Sequence, residues 1–381
     1  MKILINMSTL KKGGGLNVGL NFLDSLSKNM KHEKIKNHEF IFLVAAESSI
    51  SDRLKKDGIY KYYEMSPNPI ARILQEVTLG NKIIKLENVD IIYTYFGYGF
   101  FTKRKPQVAG MAASNVLVPE INFWLDYSRL DRVKKWLIDR FRLWSLYQLK
   151  GVVFENKFLQ KRAASNNKIS DSIYIKPSIS ISNSLPVNTK ILPQIGASNT
   201  KWGLFLCGWH HNKNVTIIPE LAWRLKERGL NFNFAITAFP DNSKVFKNFE
   251  KELKKYKIKD RVHMIGPVDK VMLPNLYDEV DVVFLLSKLE SFSNNFIEAW
   301  RFGKPLILTD AKWARAIAGN SAHYAKRDNT EEISYKTEEL IMNNDLVEIL
   351  TERGRKELLK HPKILDKTIS EIAYLEKIAQ Q

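Results

Sequence analysis

Short apolar runs rich in β-branched residues alternate along the whole chain with longer amphipathic stretches, and this alternation limits the possible folds most. It is typical of βαβ units, in which helices join parallel strands and cover both faces of the sheet. The strands predicted in the first half are 2–7, 39–46, 90–95, 107–113, 151–155 and 172–176. Those predicted in the second half are 202–208, 231–237, 261–266, 281–286, 305–308 and 322–325. Each half can therefore form a doubly wound α/β domain.

A segment rich in proline and serine separates the two halves. Residues 177–200 contain Pro177, Pro186 and Pro193 and show no hydrophobic periodicity, which indicates a linker. The length of 381 residues suits two domains of roughly 100–200 residues each. We predict an N-terminal domain over 1–190, a C-terminal domain over 191–362, and a helix over 363–381 that packs back on the N-terminal domain.

Composition excludes several classes of protein. With 44% hydrophobic and 26% charged residues, the chain is neither disordered nor collagen-like. Its single cysteine, Cys207, forms no intramolecular disulfide and no thiolate cluster, as expected in a reducing cytoplasm. No apolar run reaches the roughly 18–20 residues of a membrane span. The net charge of +18 favours a polyanionic partner, although genome bias explains it equally well.

Three consecutive glycines, Gly13, Gly14 and Gly15, stand between the first predicted strand and the next helix. Glycines in such a turn let backbone N–H groups approach an anion at the positive end of a helix. The spacing matches neither the dinucleotide-binding fingerprint nor a P-loop. The turn is therefore either a phosphate cradle or a flexible connection.

A basic turn follows the first strand of the second half and reads Gly208-Trp-His-His-Asn-Lys213-Asn214. Lys213 can neutralise a phosphate at the start of the predicted helix 215–228, and Asn214 can cap that helix. Because His210 and His211 are adjacent, they point different ways and do not share one metal. A basic surface loop is the alternative interpretation.

Two glutamates, Glu290 and Glu298, lie eight residues apart in a predicted strand, loop and helix. They can converge on a ligand held at the N-terminus of that helix. Donors to a phosphate are available there from Ser291, Ser293, Asn294 and Asn295. Alternatively, Ser293 or Asn294 only caps the helix and Glu298 is solvated.

This passage resembles the E-x7-E signature of the retaining glycosyltransferases of family 4. The same order of residues extends over Val262-His-Met-Ile-Gly266-Pro-Val, Leu276-Tyr277, Val280-Asp281-Val-Val, Glu290-Ser-Phe and Phe302-Gly-Lys-Pro305. The resemblance covers the second half and, more weakly, the first βα unit. It implies the GT-B architecture, which has two facing Rossmann-like, doubly wound α/β domains with parallel sheets. It also implies a UDP- or GDP-sugar donor bound mainly by the C-terminal domain.

The resemblance implies roles for single residues. Glu298 would hold the donor ribose, Glu290 would lie near the transferred sugar, and Lys213 would contact the diphosphate. The turn Gly13–Gly15 would face the reacting centre from the other domain. The remaining donor-site residues would be Gly266, Ser291, Phe292, Ser293, Asn294 and Asn295. A lysine and helix N-termini can stabilise the departing diphosphate, so neither a metal nor another cofactor is expected.

Departures from the family pattern leave two roles open. The arginine that often precedes the phosphate lysine is missing, so the second cation is His210, Lys201 or absent. The common histidine of the first domain is not evident, and we predict Asn115 as its replacement. An asparagine amide can hydrogen-bond a sugar hydroxyl but cannot act as a base.

The segment 128–162 is basic and aromatic, with ten Lys and Arg against three Asp and Glu. Such helices can lie on an anionic membrane, where the enzyme would meet a lipid-linked acceptor. The alternative is a helix whose apolar face packs in the core.

Together with this resemblance, the sequence predicts a cytoplasmic, metal-independent retaining glycosyltransferase, free or peripheral on the inner face of the cell membrane. It would act on a lipid-linked glycan in bacterial surface polysaccharide, lipopolysaccharide or capsule biosynthesis. A catalytically silent GT-B-like protein that binds glycan or nucleotide stays an alternative. A basic nucleic-acid-binding protein is a weaker one, because no such motif accompanies the charge, and no nucleic acid is expected as a partner.

Overall fold

The computed structural model describes residues 1–11, 13–100, 102, 104–111, 113–165, 169, 171–179, 189–194 and 199–381. It divides the chain into two compact units, residues 1–180 with 361–381 and residues 181–360. The division falls ten residues before the predicted boundary at 190. Residues 189–192 belong with the second unit because the Glu279 carboxylate accepts the backbone N–H groups of Ile191 and Leu192, at 2.7 and 3.1 Å.

A parallel sheet forms the centre of the first unit. Its strands in the described residues are β1 (Lys2–Met7), β2 (Glu39–Ala45), β3 (Lys61–Met65), β4 (Ile91–Thr94), β5 (Gln107–Gly110), β6 (Gly151–Phe154) and β7 (Ser172–Tyr174). Their order across the sheet is β3-β2-β1-β4-β5-β6-β7. Seven helices of this unit are α1 (Gly13–Lys28), α2 (Glu33–Lys36), α3 (Ser49–Asp57), α4 (Pro69–Gln75), α5 (Asn81–Leu86), α6 (Arg129–Leu146) and α7 (Lys157–Ala164). A π-helical turn, Glu76–Gly80, joins α4 to α5.

The second unit is built in the same way. Its strands are β8 (Lys201–Phe205), β9 (Phe232–Ile236), β10 (Val262–Met264), β11 (Val282–Leu285), β12 (Leu306–Thr309) and β13 (His323–Ala325). They are parallel and follow the order β10-β9-β8-β11-β12-β13. Its helices are α8 (Ile218–Glu227), α9 (Lys244–Tyr256), α10 (Leu273–Glu279), α11 (Asn294–Arg301), α12 (Lys312–Ala318), α13 (Thr330–Met342) and α14 (Asn344–Leu358).

Both sheets reverse their strand order next to the first strand, between β1 and β4 and between β8 and β11. This is the Rossmann-like topology, and it confirms the predicted α/β class with two parallel sheets. In such sheets, ligands bind outside the carboxyl ends of the strands at the point of reversal. The topology therefore directs attention to the loops after β8 and β11.

Aromatic packing fixes the centre of the second sheet. Phe205 of β8 stacks on Phe284 of β11, with ring centroids 5.1 Å apart and planes 4° from parallel. An added Cβ at Gly203 of β8 would lie 2.7 Å from the rings of both Phe232 and Phe284. Only glycine therefore fits there, and this packing holds the two strands that precede the candidate site.

The chain ends in helix α15 (Ile364–Ala379), which packs on the first unit. Ile372, Leu375 and Ile378 are buried in the same apolar cluster as β1 and β2. The ammonium of Lys367, which is also buried, lies 2.6 Å from the Glu155 carboxylate at the end of β6. An ion pair between buried groups ties α15 to the carboxyl edge of the first sheet.

The sequence did not predict β3. Its residues Lys61–Met65 read KYYEM, so charged and aromatic residues replace a continuous apolar run. β3 lies at the edge of the sheet, where partly exposed side chains are tolerated. Because the strands were predicted from apolar runs, a strand with this polar and aromatic sequence was missed.

Candidate functional site

An ion pair lies at the carboxyl edge of the second sheet, where the loops after β8 and β11 meet. The Nζ atom of Lys213 lies 2.5 Å from Oε1 of Glu290, and both side chains are mostly buried. Burial alone would lower the pKa of Lys213, but the attraction and hydrogen bond of Glu290 outweigh burial and raise that pKa. Lys213 therefore stays positively charged at neutral pH.

Asn212 joins the two loops. Its side-chain Nδ2 donates to the carbonyl of Leu289 at 2.9 Å and to Oε1 of Glu290 at 3.1 Å. Its Oδ1 accepts the N–H of Leu289 at 3.0 Å, and its backbone carbonyl accepts the N–H of Lys288 at 2.9 Å. The buried amide thus fixes the position of Glu290 relative to Lys213. Sequence reasoning missed it, since its only signal was its place beside Lys213.

Asn214 does not cap the next helix as predicted. It adopts the left-handed conformation with φ 59°, and its Nδ2 donates to the carbonyl of Arg327 at 2.7 Å. The side chain therefore braces the turn against the segment after β13. That segment also brings in a cation that the sequence did not indicate, because Arg327 Nε donates to the carbonyl of Leu286 at 3.3 Å.

The N-terminus of α11 lies at the same edge, directly after the loop that carries Glu290. Ser293 makes no side-chain capping hydrogen bond to this helix. Nδ2 of Asn295 donates to the carbonyl of Leu206, at 3.0 Å, and so links the helix start to the end of β8. The loop residues Ser291 and Phe292 are half-buried. Ser293 therefore occupies the N-cap position without capping through its side chain, and the positive end of α11 adjoins the Glu290 loop.

Glu298 lies one turn into α11 and is mostly enclosed. The hydroxyl of Tyr277, which is completely buried, donates to Oε2 of Glu298 at 3.1 Å. Burial raises the pKa of Glu298, and the Tyr277 hydrogen bond and the charge of Lys270 oppose that rise. The ring of Tyr277 stacks on Phe302 at 4.9 Å. Glu298 is therefore an oriented carboxylate, not a solvated one.

Gly266 lies against the exposed ring of Phe239. Its φ is 77°, and an added Cβ would collide with the ring of Phe239, which is 64% exposed. The Nε1 of Trp209 donates to the carbonyl of Phe239 at 2.6 Å. Because Phe239 follows β9, its ring lies at the same edge of the sheet as Lys213. Gly266 thus allows the close approach of Phe239.

The two candidates for a second cation have different positions. His210 adjoins Lys213, and its Nδ1 accepts the backbone N–H of Asn212 at 3.1 Å. Lys201 begins β8 and lies 2.9 Å from Asp281, at the amino end of the strand. Lys201 is therefore at the opposite edge of the sheet and outside this site.

The first unit presents its predicted residues differently. Gly13 begins α1 with φ 72°, and a Cβ added to Gly13 or Gly14 would meet nothing within 4 Å. Gly15 is closer to its surroundings, 3.3 Å from Leu10. Asn115 lies in a 3₁₀ turn, Ser114–Leu117, and its Nδ2 donates to Asp139 at 2.7 Å. The glycine turn is thus open, whereas the amide of Asn115 is held by a carboxylate.

Helix α6 contradicts the alternative of an apolar face packed in the core. Within its length, only Ser145 and Leu146 are buried, and Leu130, Leu137 and Trp144 are at least half exposed. No helix in the described ranges is both long and apolar enough to cross a bilayer. Nor do the described side chains include a group of three or more His, Cys, Asp or Glu that could hold a metal ion.

Residues 197–357 match the family described as Glycosyl transferases group 1. The fold is similar to a glycosyltransferase from Rickettsia africae, with a TM-score of 0.69 and 18% identity over 100% of this chain and 98% of that one. The fold is also similar to that of Anabaena Alr3699/HepE, solved with UDP and glucose, with a TM-score of 0.68 and 15% identity over 99% of both chains. A third similar structure is WaaG, a glycosyltransferase involved in lipopolysaccharide biosynthesis. Its TM-score is 0.68 and its identity 12%, over 98% of this chain and 99% of WaaG. No curated protein sequence matches. The second unit thus matches the glycosyl transferases of group 1, and the chain has the fold of solved GT-B glycosyltransferases.

Proposed function

We propose that the protein is a retaining, metal-independent glycosyltransferase. It transfers a hexose from a nucleoside diphosphate sugar to a glycan acceptor. The observation that carries this proposal is the Lys213–Glu290 pair, fixed by Asn212 at the carboxyl edge of the second sheet. The group 1 match over residues 197–357 supports the same reaction class.

The donor diphosphate binds at Lys213 and the N-terminus of α11. A lysine ammonium has three N–H donors, so Lys213 can keep Glu290 and still donate to a phosphate oxygen. When the bond between the sugar and the diphosphate breaks, negative charge develops on the departing phosphate. Lys213 and the backbone N–H groups of α11 are fixed before that charge appears, which is the arrangement that lowers a barrier electrostatically.

The nucleoside lies along the same edge of the sheet. Glu298, held by Tyr277, accepts hydrogen bonds from the ribose hydroxyls. Phe239 offers an exposed ring face against which a base can stack. The complexes of Anabaena Alr3699/HepE with UDP, glucose and UDP-glucose favour a UDP-sugar, with a GDP-sugar as the alternative.

Glu290 acts on the transferred sugar, because the positive charge that develops on that sugar favours a nearby carboxylate. The acceptor is a lipid-linked glycan in bacterial surface polysaccharide, lipopolysaccharide or capsule synthesis, reached from the cytoplasmic face of the membrane. WaaG and the lipopolysaccharide galactosyltransferase WaaB, both similar in fold, support an acceptor of this kind. The exposed apolar residues of α6 fit an enzyme that works at a membrane.

Thermal unfolding with UDP, GDP, ADP and CMP, each with and without EDTA, tests the donor site. A ligand at 100 times its Kd stabilises the folded protein by about 2.7 kcal/mol. We expect one nucleotide to raise the Tm equally in both conditions, and Lys213→Met to abolish the rise. A rise that EDTA removes would contradict the metal-independent site, and no rise with any nucleotide would contradict the donor site.

A silent binding protein is the second candidate, because Asp139 holds the amide of Asn115 in the first unit. Incubation with the sugar derivative of the stabilising nucleotide separates the two. Release of the nucleoside diphosphate that depends on a glycan acceptor identifies the enzyme. Stabilisation by nucleotide with no release, across acceptors extracted from bacterial membranes, identifies the silent protein.

A further inference from the structure

A stripe of apolar side chains is exposed on the first unit. Ile70, Ile73, Leu74 and Val77 follow one another at helical spacing along α4 and into the π-helical turn, so they share one face. Ile70 is 73% exposed and Leu74 is 63% exposed. α4 buries none of its seven residues. An apolar helix face left in water marks an interaction surface.

A second stripe lies on α6. Leu130, Val133, Leu137 and Trp144 fall on one face of this helix and are all exposed. The helix carries six Lys and Arg against Asp131 and Asp139, and two of the cations, Lys134 and Arg140, flank the stripe. The apolar face is therefore bordered by long basic side chains.

Both stripes reach one cavity of about 790 Å³ in the first unit. Val77 from the first stripe and Trp144 from the second line it, together with Phe100 and Pro106. Its volume falls within the roughly 300–1,000 Å³ of small-molecule sites. Gln107 fixes the part of the cavity wall that Phe100 forms. Its Nε2 donates to the carbonyl of Phe100 at 3.1 Å, and its Oε1 accepts the backbone N–H of Phe100 at 2.6 Å.

The charged side chains among the described residues that line the cavity all have one sign. Arg104, Lys105 and Lys150 line it, and the described lining residues include neither Asp nor Glu. An apolar interior with a cationic rim matches a ligand that joins a long hydrocarbon chain to a phosphate. We propose that the two stripes rest on an anionic bilayer and that the cavity binds an acyl chain of an anionic phospholipid.

The charge pattern favours a lipid over a protein partner. The centre of a protein interface is depleted of charged residues, whereas lysine and arginine beside apolar helix faces fit the headgroup layer of an anionic membrane. This site goes beyond the transfer reaction and does not require it. Sequence analysis had indicated only the segment 128–162; α4 and the cavity are visible only in the structure.

Vesicle co-sedimentation of the full chain tests the surface. We compare vesicles of phosphatidylcholine with vesicles that also contain phosphatidylglycerol. We expect wild type to bind only the anionic vesicles and Ile70→Asn/Leu74→Asn to bind them at least about tenfold more weakly. Leu359→Asn is the matched control, since Leu359 is 84% exposed but lies in the second unit, and it should bind like wild type. Equal binding of the double variant and wild type, or of both kinds of vesicle, would overturn the proposal.

Quenching of tryptophan fluorescence by phosphatidylglycerol with brominated acyl chains tests the cavity. We expect Trp144→Phe to remove a substantial part of the quenching and Trp223→Phe, in the second unit, to remove none. Unchanged quenching in Trp144→Phe would overturn the acyl site. The proposal would also be overturned if the wild-type protein dimerises without lipid and Ile70→Asn/Leu74→Asn stays monomeric. A second copy of the chain would then cover the stripes. Nucleotide stabilisation in the same variants reports separately on the proposed transferase.

Discussion

Helices α11 and α4 are similar in length but differ in what covers them. α11, in the second unit, buries Phe296, Ile297 and Trp300, whereas α4, in the first unit, buries no residue. Burial of its apolar face fixes α11 on the sheet and so fixes its N-terminus beside the Glu290 loop. α4 has the same amphipathic character without a protein neighbour for its apolar face. The second unit thus fixes its candidate site with its own contacts, whereas the first leaves the apolar face of α4 exposed.

The largest expected effect tests the site in the second unit. Lys213→Met removes the charge that would face the departing phosphate in the proposed reaction, and we expect kcat/KM to fall about 10²–10³-fold. Lys201→Met is the matched control, because Lys201 also pairs with a carboxylate but at the amino end of β8. It should retain wild-type kcat/KM with the stabilising nucleotide sugar. Equal losses of kcat/KM in both variants would contradict a site at the carboxyl edge of the second sheet.

A pair of stability measurements compares the two helices directly. Ile297→Ala opens a cavity in a packed core and should cost roughly 2–5 kcal/mol. Ile70→Ala removes an exposed side chain and should change stability by no more than about 0.5 kcal/mol. Thermal unfolding in the absence of lipid measures both. A large loss in Ile70→Ala would mean that the face of α4 is covered in the free protein.

Glu76, the first residue of the π-helical turn after α4, has a buried carboxyl whose ionisation should depend on folding. Burial raises the pKa of Glu76 to about 7, and Arg72, 3.6 Å away, only partly opposes this. The folded protein therefore holds a proton that the unfolded chain has lost, and stability falls as pH rises from about 4.5 to 7. This fall reaches at most about 3 kcal/mol.

Thermal unfolding of Glu76→Gln between pH 5 and 8 checks this expectation. The variant should be more stable than wild type at pH 8, with a gap that narrows toward pH 5. Burial also raises the pKa of Glu371 to about 7. Because Glu371 is present in both proteins, its effect on the pH dependence of stability is the same in each and cancels in the comparison. Glu331→Gln, on the exposed side of α13, controls for the change in charge. A gap that is constant with pH would contradict the raised pKa.

The same contrast between covered and exposed elements explains what the sequence could predict. Buried strands such as β1 and β11 are mostly apolar, so their positions follow from the local sequence pattern. Glu290, Glu298 and Lys213 could be chosen because a known motif contains them. Their roles stay predictions, and their geometry depends on contacts that no motif records.

Asn212 and Arg327 show why the site could not be completed from the sequence. Asn212 acts through hydrogen bonds to residues 77 and 78 positions away, and Arg327 reaches the site from the segment after β13. Local propensity contains no such information. The exposed face of α4 was missed for the opposite reason. An amphipathic pattern predicts a helix but does not say whether its apolar side meets the core.

The smallest expected effect concerns the glycine turn of the first unit. A Cβ added to Gly14 would meet nothing within 4 Å, so Gly14→Ala should leave the fold intact and raise stability by about 0.4–1 kcal/mol, because alanine restricts the unfolded chain. Gly266→Ala should instead lower the Tm, since its φ is 77° and Phe239 occupies the space. If Gly14→Ala keeps its stability but loses transfer, then the open space above the turn is used by a ligand. If it keeps both, the turn is only a flexible connection.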